Sequence, residues 1–195
     1  ARGQGRQEGE QFFLHGRDSS FNKIKIGCRE HAGEEDISKK MEKSKKAFAG
    51  NEIRGKKLGV IGLGAIGCEV ANAAAALGME VYGYDPFISV NAAWMLSRSV
   101  KHIMDVNTIY KECDYITVHV PLLDSTKEMI NQAAFDQMKD GVILINNARG
   151  QLIHEQDVAD ALNSGKMGAA GLDVVYTEPI RADNPLLKAK NCIIT

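Results

Sequence analysis

The sequence predicts an α/β fold: a doubly wound parallel sheet of the Rossmann type, with helices on both faces. Three observations carry this. From about Asn51 onward, short apolar runs alternate with stretches of helical character. The run Leu58–Ile61 leads directly into Gly62-Leu63-Gly64-Ala65-Ile66-Gly67, then into an alanine-rich stretch and a second apolar run that stops at Asp85. Finally, Gly62, Asp85, Pro121, Asn147–Arg149 and Asp173 each follow a predicted strand, and in open α/β sheets ligands bind beyond the strands' carboxyl ends.

Taken in order, Ala1 to about Ser20 is rich in Gly, Gln and charge, without a hydrophobic period, and is expected to be disordered. Phe21–Cys28 alternates weakly, like a short edge strand. Glu34–Phe48 reads as a helix: Ile37, Met41 and Phe48 share a face, acids open it, lysines fill its last turn, and Gly50 closes it. The lysine run reads as a solvated face rather than a nucleic-acid site. Residues 1–50 are taken as a leader and 51–195 as a separate domain.

The stretch Leu58–Asp85 has the order strand, glycine turn, helix, strand, acid, which is that of a dinucleotide-binding βαβ unit. Gly62 permits the tight turn, Gly64 lets backbone approach a pyrophosphate, and Gly67 allows close helix–strand packing. The helix directs free N–H groups and its positive dipole end at the phosphates. Asp85, roughly 20 residues on, suits hydrogen bonds with ribose hydroxyls.

Beyond it, Ala92–Ser97 reads as a short helix, Val100–Ile103 as a short strand, and Asp105 as the cap of a helix running to about Cys113. Tyr115–Val120 is a strand stopped by Pro121, Asn131–Met138 a helix, and Val142–Asn146 a buried strand. Glu155–Asn163 is a helix ended by Gly165; Met167–Val175 and Cys192–Thr195 are the last strands.

Composition narrows the function classes. A chain of 195 residues, 44% hydrophobic and 25% charged, can bury a core without disulfides or metal. A net charge of −1 gives no field toward nucleic acid or an anionic membrane, so neither is expected as a partner. No apolar run reaches the roughly 18 residues of a membrane span, and the polar start lacks a signal-peptide core. Cys28, Cys68, Cys113 and Cys192 are scattered and read as free thiols, so the expected location is the cytoplasm. Cys68, just inside the glycine-turn helix, reads as packing rather than as a stabilised thiolate.

Two residues invite a chemical reading. Arg149, directly after a buried strand, can hold a carboxylate through two parallel hydrogen bonds; equally, it can be a surface arginine closing a turn before Gly150. Glu178 follows a strand by a few residues and can orient a histidine, although residue physics alone favours an exposed loop acid. None of the five histidines is nominated as a general base by its position, and His119 is read as structural.

The motifs GVIGLGAIG, YDP, HVPLLDSTKEMIN, NNARGQLIHEQDVADAL and GLDVVYTEP, in this order, resemble the NAD-binding domain of the D-isomer-specific 2-hydroxyacid dehydrogenases, from about Asn51 to Thr195. The front half is most similar to the 3-phosphoglycerate dehydrogenase branch and the back half to the glycerate or hydroxypyruvate reductase branch. The resemblance implies NAD as cofactor, a small 2-hydroxy or 2-keto acid as substrate, and a homodimer. It implies that Arg149 holds the substrate carboxylate and polarises the carbonyl, and that Glu178 is the acid of a His–Glu relay. Gly62, Gly64, Ala65, Ile66 and Gly67 are implied at the pyrophosphate and Asp85 at the adenosine ribose, where its charge favours NAD over NADP. Val120, Pro121, Thr126, Ala148 and Asp173 are implied along the nicotinamide half, and no metal is expected. The family's catalytic histidine follows a strand like CIIT, where this sequence ends, so the chain alone is expected to bind NAD and turn over little. A non-catalytic NAD-sensing module and an inactive copy are the alternatives.

Overall fold

Helices on both faces leave the central strands no solvent side, and their residues are apolar accordingly. The computed structural model describes residues 50–195; the readings of Phe21–Cys28, Glu34–Phe48 and the first residues lie outside the described part. The elements are β1 (Lys57–Ile61), α1 (Ala65–Ala76), β2 (Glu80–Tyr84), α2 (Val90–Met95), β3 (Lys101–His102), α3 (Val106–Glu112), β4 (Tyr115–Val118), α4 (Gln132–Gln137), β5 (Val142–Asn146), α5 (Glu155–Ser164), β6 (Met167–Leu172) and β7 (Cys192–Ile194). Short 3-10 turns occupy Gly150–Leu152 and Pro185–Lys188.

The seven strands form one sheet in the order β3-β2-β1-β4-β5-β6-β7, every neighbouring pair parallel. This is the doubly wound architecture expected from the alternation. Strand pleating sends Leu58 and Val60 of β1 into a core under α1, with Cys68, Ala71 and Ala74. Ile61 points the other way, into the larger core with Ile109 of α3, Phe135 of α4 and Val158 and Leu162 of α5. Phe135 is fully buried, which contributes about 1.5–3 kcal/mol by area removed from water.

Local chemistry sets the element ends. The Ser89, Asp105 and Asn131 side chains accept N–H groups in the first turns of α2, α3 and α4. Gly165 ends α5 in the left-handed conformation, as its position predicts. β3 and β7 stop one residue short of the sequence reading, and two strands stop further short. β4 ends at Val118, although the His119 N–H still donates to the Ile61 carbonyl at 2.7 Å. β6 ends at Leu172 because the chain then turns onto Gly150, as described below.

The N-terminal edge of the sheet is a belt of exposed ion pairs: Lys57 with Glu112, Lys101 with Glu80, and Lys139 with Asp114. Hydrogen bonds from the lysines hold the Glu80 and Glu112 carboxyls below their ordinary range. These charges satisfy one another.

Candidate functional site

The chain runs outward from β1 through β2 to β3, then returns to start again at β4 beside β1. The crevice at the carboxyl ends of β1 and β4 is therefore the topological switch point. Gly62, Asp85, Pro121, Arg149 and Asp173 all lie just beyond strand ends on this edge.

Gly62 leaves β1 with φ of +95°, and a Cβ there would sit 2.7 Å from the carbonyl carbon and oxygen of His119. A Cβ on Gly67 would fall 2.0 Å from the Gly62 carbonyl oxygen. The protein's own backbone thus requires glycine at both positions. Gly64 differs: its φ is an ordinary −72°, and a Cβ would meet nothing within 4 Å. Here the space is open, and α1 begins with no side-chain cap and no acid in its first turn. The amides of Ala65, Ile66 and Gly67 precede any helical acceptor, and the dipole end is unopposed. A pyrophosphate fits this end of the helix on both counts.

Asp85 is fixed over the same turn. One carboxylate oxygen accepts the Leu63 N–H at 2.9 Å and the other the Phe87 N–H at 2.8 Å. Each oxygen keeps lone-pair capacity for a further donor. Cys68 serves the turn as packing: its buried thiol donates to the Leu63 carbonyl, and burial pushes its pKa up, away from a thiolate.

Across the crevice, Val120 packs toward Gly62, where its Cγ1 would be 2.9 Å from an added Cβ. Pro121 is exposed, and Thr126 closes the loop after it: the hydroxyl donates to the Pro121 carbonyl at 2.7 Å and accepts the Leu123 N–H at 2.8 Å. The His119 ring pairs with the Thr117 hydroxyl at 2.9 Å, and burial lowers its pKa. Burial thus disfavours its charged form, and the ring is already engaged.

Arg149 is exposed and caps the 3-10 turn Gly150–Leu152. One terminal nitrogen, Nη1, donates to the Ala148 carbonyl at 2.7 Å, and the guanidinium makes no ion pair among the described residues. Beneath it lies Asn146, fully buried; its Nδ2 donates to the Arg149 carbonyl at 2.9 Å and its Oδ1 accepts the Ala148 N–H at 3.1 Å.

The turn after β5 is joined to the loop after β6. A Cβ on Gly150 would lie 2.0 Å from the carbonyl carbon and oxygen of Val175, so the two backbones touch. Gln151 Nε2 donates to the Tyr176 carbonyl at 3.0 Å, and the Tyr176 N–H donates to Glu155 Oε1 at 2.7 Å. Glu155 Oε2 accepts from Asn184 Nδ2 at 2.9 Å, and both line an open pocket of about 200 Å³ with Thr177, Arg181, Asp183 and Pro185. Glu178 stands exposed two residues beyond this clamp, without an ion-pair partner among the described residues. Asp173, also exposed, accepts the Thr195 hydroxyl at 2.9 Å.

The sequence reading missed Asn146, Gln151 and Glu155. Only Asn146 left a signal, as a polar side chain ending an otherwise apolar run. No group of residues with metal-ligand clustering occurs among those described, and no described helix is long and apolar enough to cross a membrane.

The family model described as D-isomer specific 2-hydroxyacid dehydrogenase, NAD binding domain, matches residues 26–195. Among curated relatives, a hydroxypyruvate reductase of Blautia hydrogenotrophica is 50% identical over 144 residues, 74% of this chain and 44% of that protein. A D-3-phosphoglycerate dehydrogenase of Archaeoglobus fulgidus is 46% identical over 151 residues, 77% of this chain and 28% of that protein. The chain therefore spans less than half the length of either. Among solved structures, D-lactate dehydrogenase with NAD+ from Lactobacillus jensenii matches with a TM-score of 0.66 at 35% identity, over 76% of this chain and 47% of that one. The holo form of Rhodotorula graminis D-mandelate dehydrogenase matches with a TM-score of 0.68 at 29% identity, over 90% of this chain and 50% of that one.

Proposed function

This chain belongs to the D-isomer specific 2-hydroxyacid dehydrogenases and carries their NAD-binding domain; from that premise we propose that it serves hydride transfer between NAD and a small D-2-hydroxy acid of the glycerate or 3-phosphoglycerate type. The observation that carries this reading is a convergence at one sheet edge: an open helix N-terminus, a carboxylate anchored by two amides, and a guanidinium with no ion pair among the described residues.

In this reading the turn Gly62, Gly64, Ala65, Ile66 and Gly67 holds the pyrophosphate through backbone amides. Asp85 accepts hydroxyls of the adenosine ribose. Because both its oxygens are held by backbone N–H groups, the carboxylate cannot swing aside for a 2′-phosphate, which supports NAD over NADP. Val120, Pro121, Thr126, Ala148 and Asp173 flank the nicotinamide half. Bound NAD supplies the hydride acceptor. Arg149 holds the substrate carboxylate and stabilises charge developing on the 2-oxygen, a fixed electrostatic role. Glu178 is a positioning residue for a histidine acting as general acid/base, whose pKa its charge raises. A homodimer belongs to the same reading.

The test is NADH oxidation with hydroxypyruvate and with 3-phosphohydroxypyruvate, followed by nicotinamide absorbance, by a full-length dehydrogenase of the family in which this chain replaces the NAD-binding domain, so that a histidine is supplied. Hydride transfer to at least one, with the D-hydroxy acid as product, is expected. NADH binding without transfer to any small 2-keto acid would replace this reading with a non-catalytic NAD-sensing role.

A further inference from the structure

We propose that Asn146 is the positioning residue for Arg149, an inference that rests on the reading of Arg149 as the carboxylate-holding group. Asn146 ends β5 fully buried, where a primary amide is costly unless its donor and acceptor are both used. Both are used on one turn. Oδ1 accepts the Ala148 N–H at 3.1 Å, and Nδ2 donates to the Arg149 carbonyl at 2.9 Å, so one planar group holds the turn on either side of the peptide that joins Ala148 to Arg149. Its own backbone carbonyl accepts the Asp173 N–H at 3.1 Å, which ties the same residue to the end of β6.

Among the described residues the arginine side chain has little else to fix it. Its single intramolecular bond among the described residues, Nη1 to the Ala148 carbonyl at 2.7 Å, is again to the turn that Asn146 supports. The far end of the turn is set by Gly150 against Val175. The guanidinium position is therefore a consequence of the backbone at Ala148 and Arg149, and that backbone is held from below by Asn146. Two-point recognition of a carboxylate depends on such placement, since a small displacement removes one of the two parallel hydrogen bonds. Aspartate lacks the donor to the Arg149 carbonyl; serine is too short to span the turn.

The probe is oxamate, a 2-keto-acid mimic, titrated against the chain saturated with NADH. Arg149→Ala should weaken oxamate at least roughly tenfold, and Asn146→Asp should weaken it by a comparable factor while costing less NADH affinity than oxamate affinity. The double variant should bind oxamate no more weakly than Arg149→Ala alone, because both changes remove the same interaction. Asn146→Ser provides the same comparison without a buried charge, should Asn146→Asp fail to fold. If Arg149→Ala leaves oxamate binding unchanged, the reading of Arg149 fails. If Arg149→Ala weakens binding but the Asn146 variants do not, or their losses multiply in the double variant, the positioning role of Asn146 is overturned. An equal loss of NADH and oxamate affinity in the Asn146 variants also overturns it.

Discussion

Gly64→Ala is expected to weaken NAD binding at least roughly tenfold, about 1.4 kcal/mol, while leaving the chain nearly as stable as before. A Cβ at Gly64 meets nothing of the protein within 4 Å, and φ of −72° suits any residue. Its stability cost is limited to the N-cap preference for glycine over alanine, under about 1 kcal/mol. The methyl group projects into the open space beside the α1 N-terminus, where a pyrophosphate must approach. Gly67→Ala is the contrasting case. Its Cβ would be 2.0 Å from the Gly62 carbonyl oxygen, so the turn must open. Forced repacking of this kind costs about 1–3 kcal/mol and moves the very amides that face the cofactor, so stability and NAD affinity should fall together. Thermal unfolding and calorimetric titration of both variants separate the two effects. Unchanged NAD affinity in Gly64→Ala would remove the pyrophosphate from this turn.

With this chain in place of the NAD-binding domain of a full-length dehydrogenase of the family, Arg149→Ala should lower kcat/KM for the 2-keto acid by about 10²–10³-fold, the range seen when one donor to a developing oxyanion is removed. Arg149→Lys should recover only part of this, since an ammonium keeps the charge but not the two parallel donors. Arg181→Ala is the control. That arginine is exposed and pairs with Asp183 at 3.2 Å, so its loss should change the rate little. Equal rates for wild type and Arg149→Ala would place carboxylate recognition elsewhere.

The features legible in the sequence are those fixed by short spacing. The glycine turn, the helix it opens and Asp85 belong to one βαβ unit, so their geometry follows from local order. The convergence of strand ends followed from alternation, because parallel strands joined by helices share one carboxyl edge. Arg149 and Glu178 were ambiguous for a physical reason. What distinguishes a held arginine from a surface one is contact over long separations, such as Gly150 with Val175 and Glu155 with Tyr176. No local pattern encodes those contacts. Asn146 is hidden because β5 reads as a continuous apolar run, although Ile143 and Ile145 are only half-buried, and one amide at its end looks like the start of a loop. His119 is read as structural from its position, and in the structure its ring pairs with the Thr117 hydroxyl two residues earlier.

The most direct test of the account is a calorimetric titration of the chain with NAD and with NADP. The anchored Asp85 carboxylate predicts saturable NAD binding at least roughly tenfold tighter than NADP, with the gap narrowed in Asp85→Ser. Equal affinity for the two cofactors, or no binding of NAD, would contradict it.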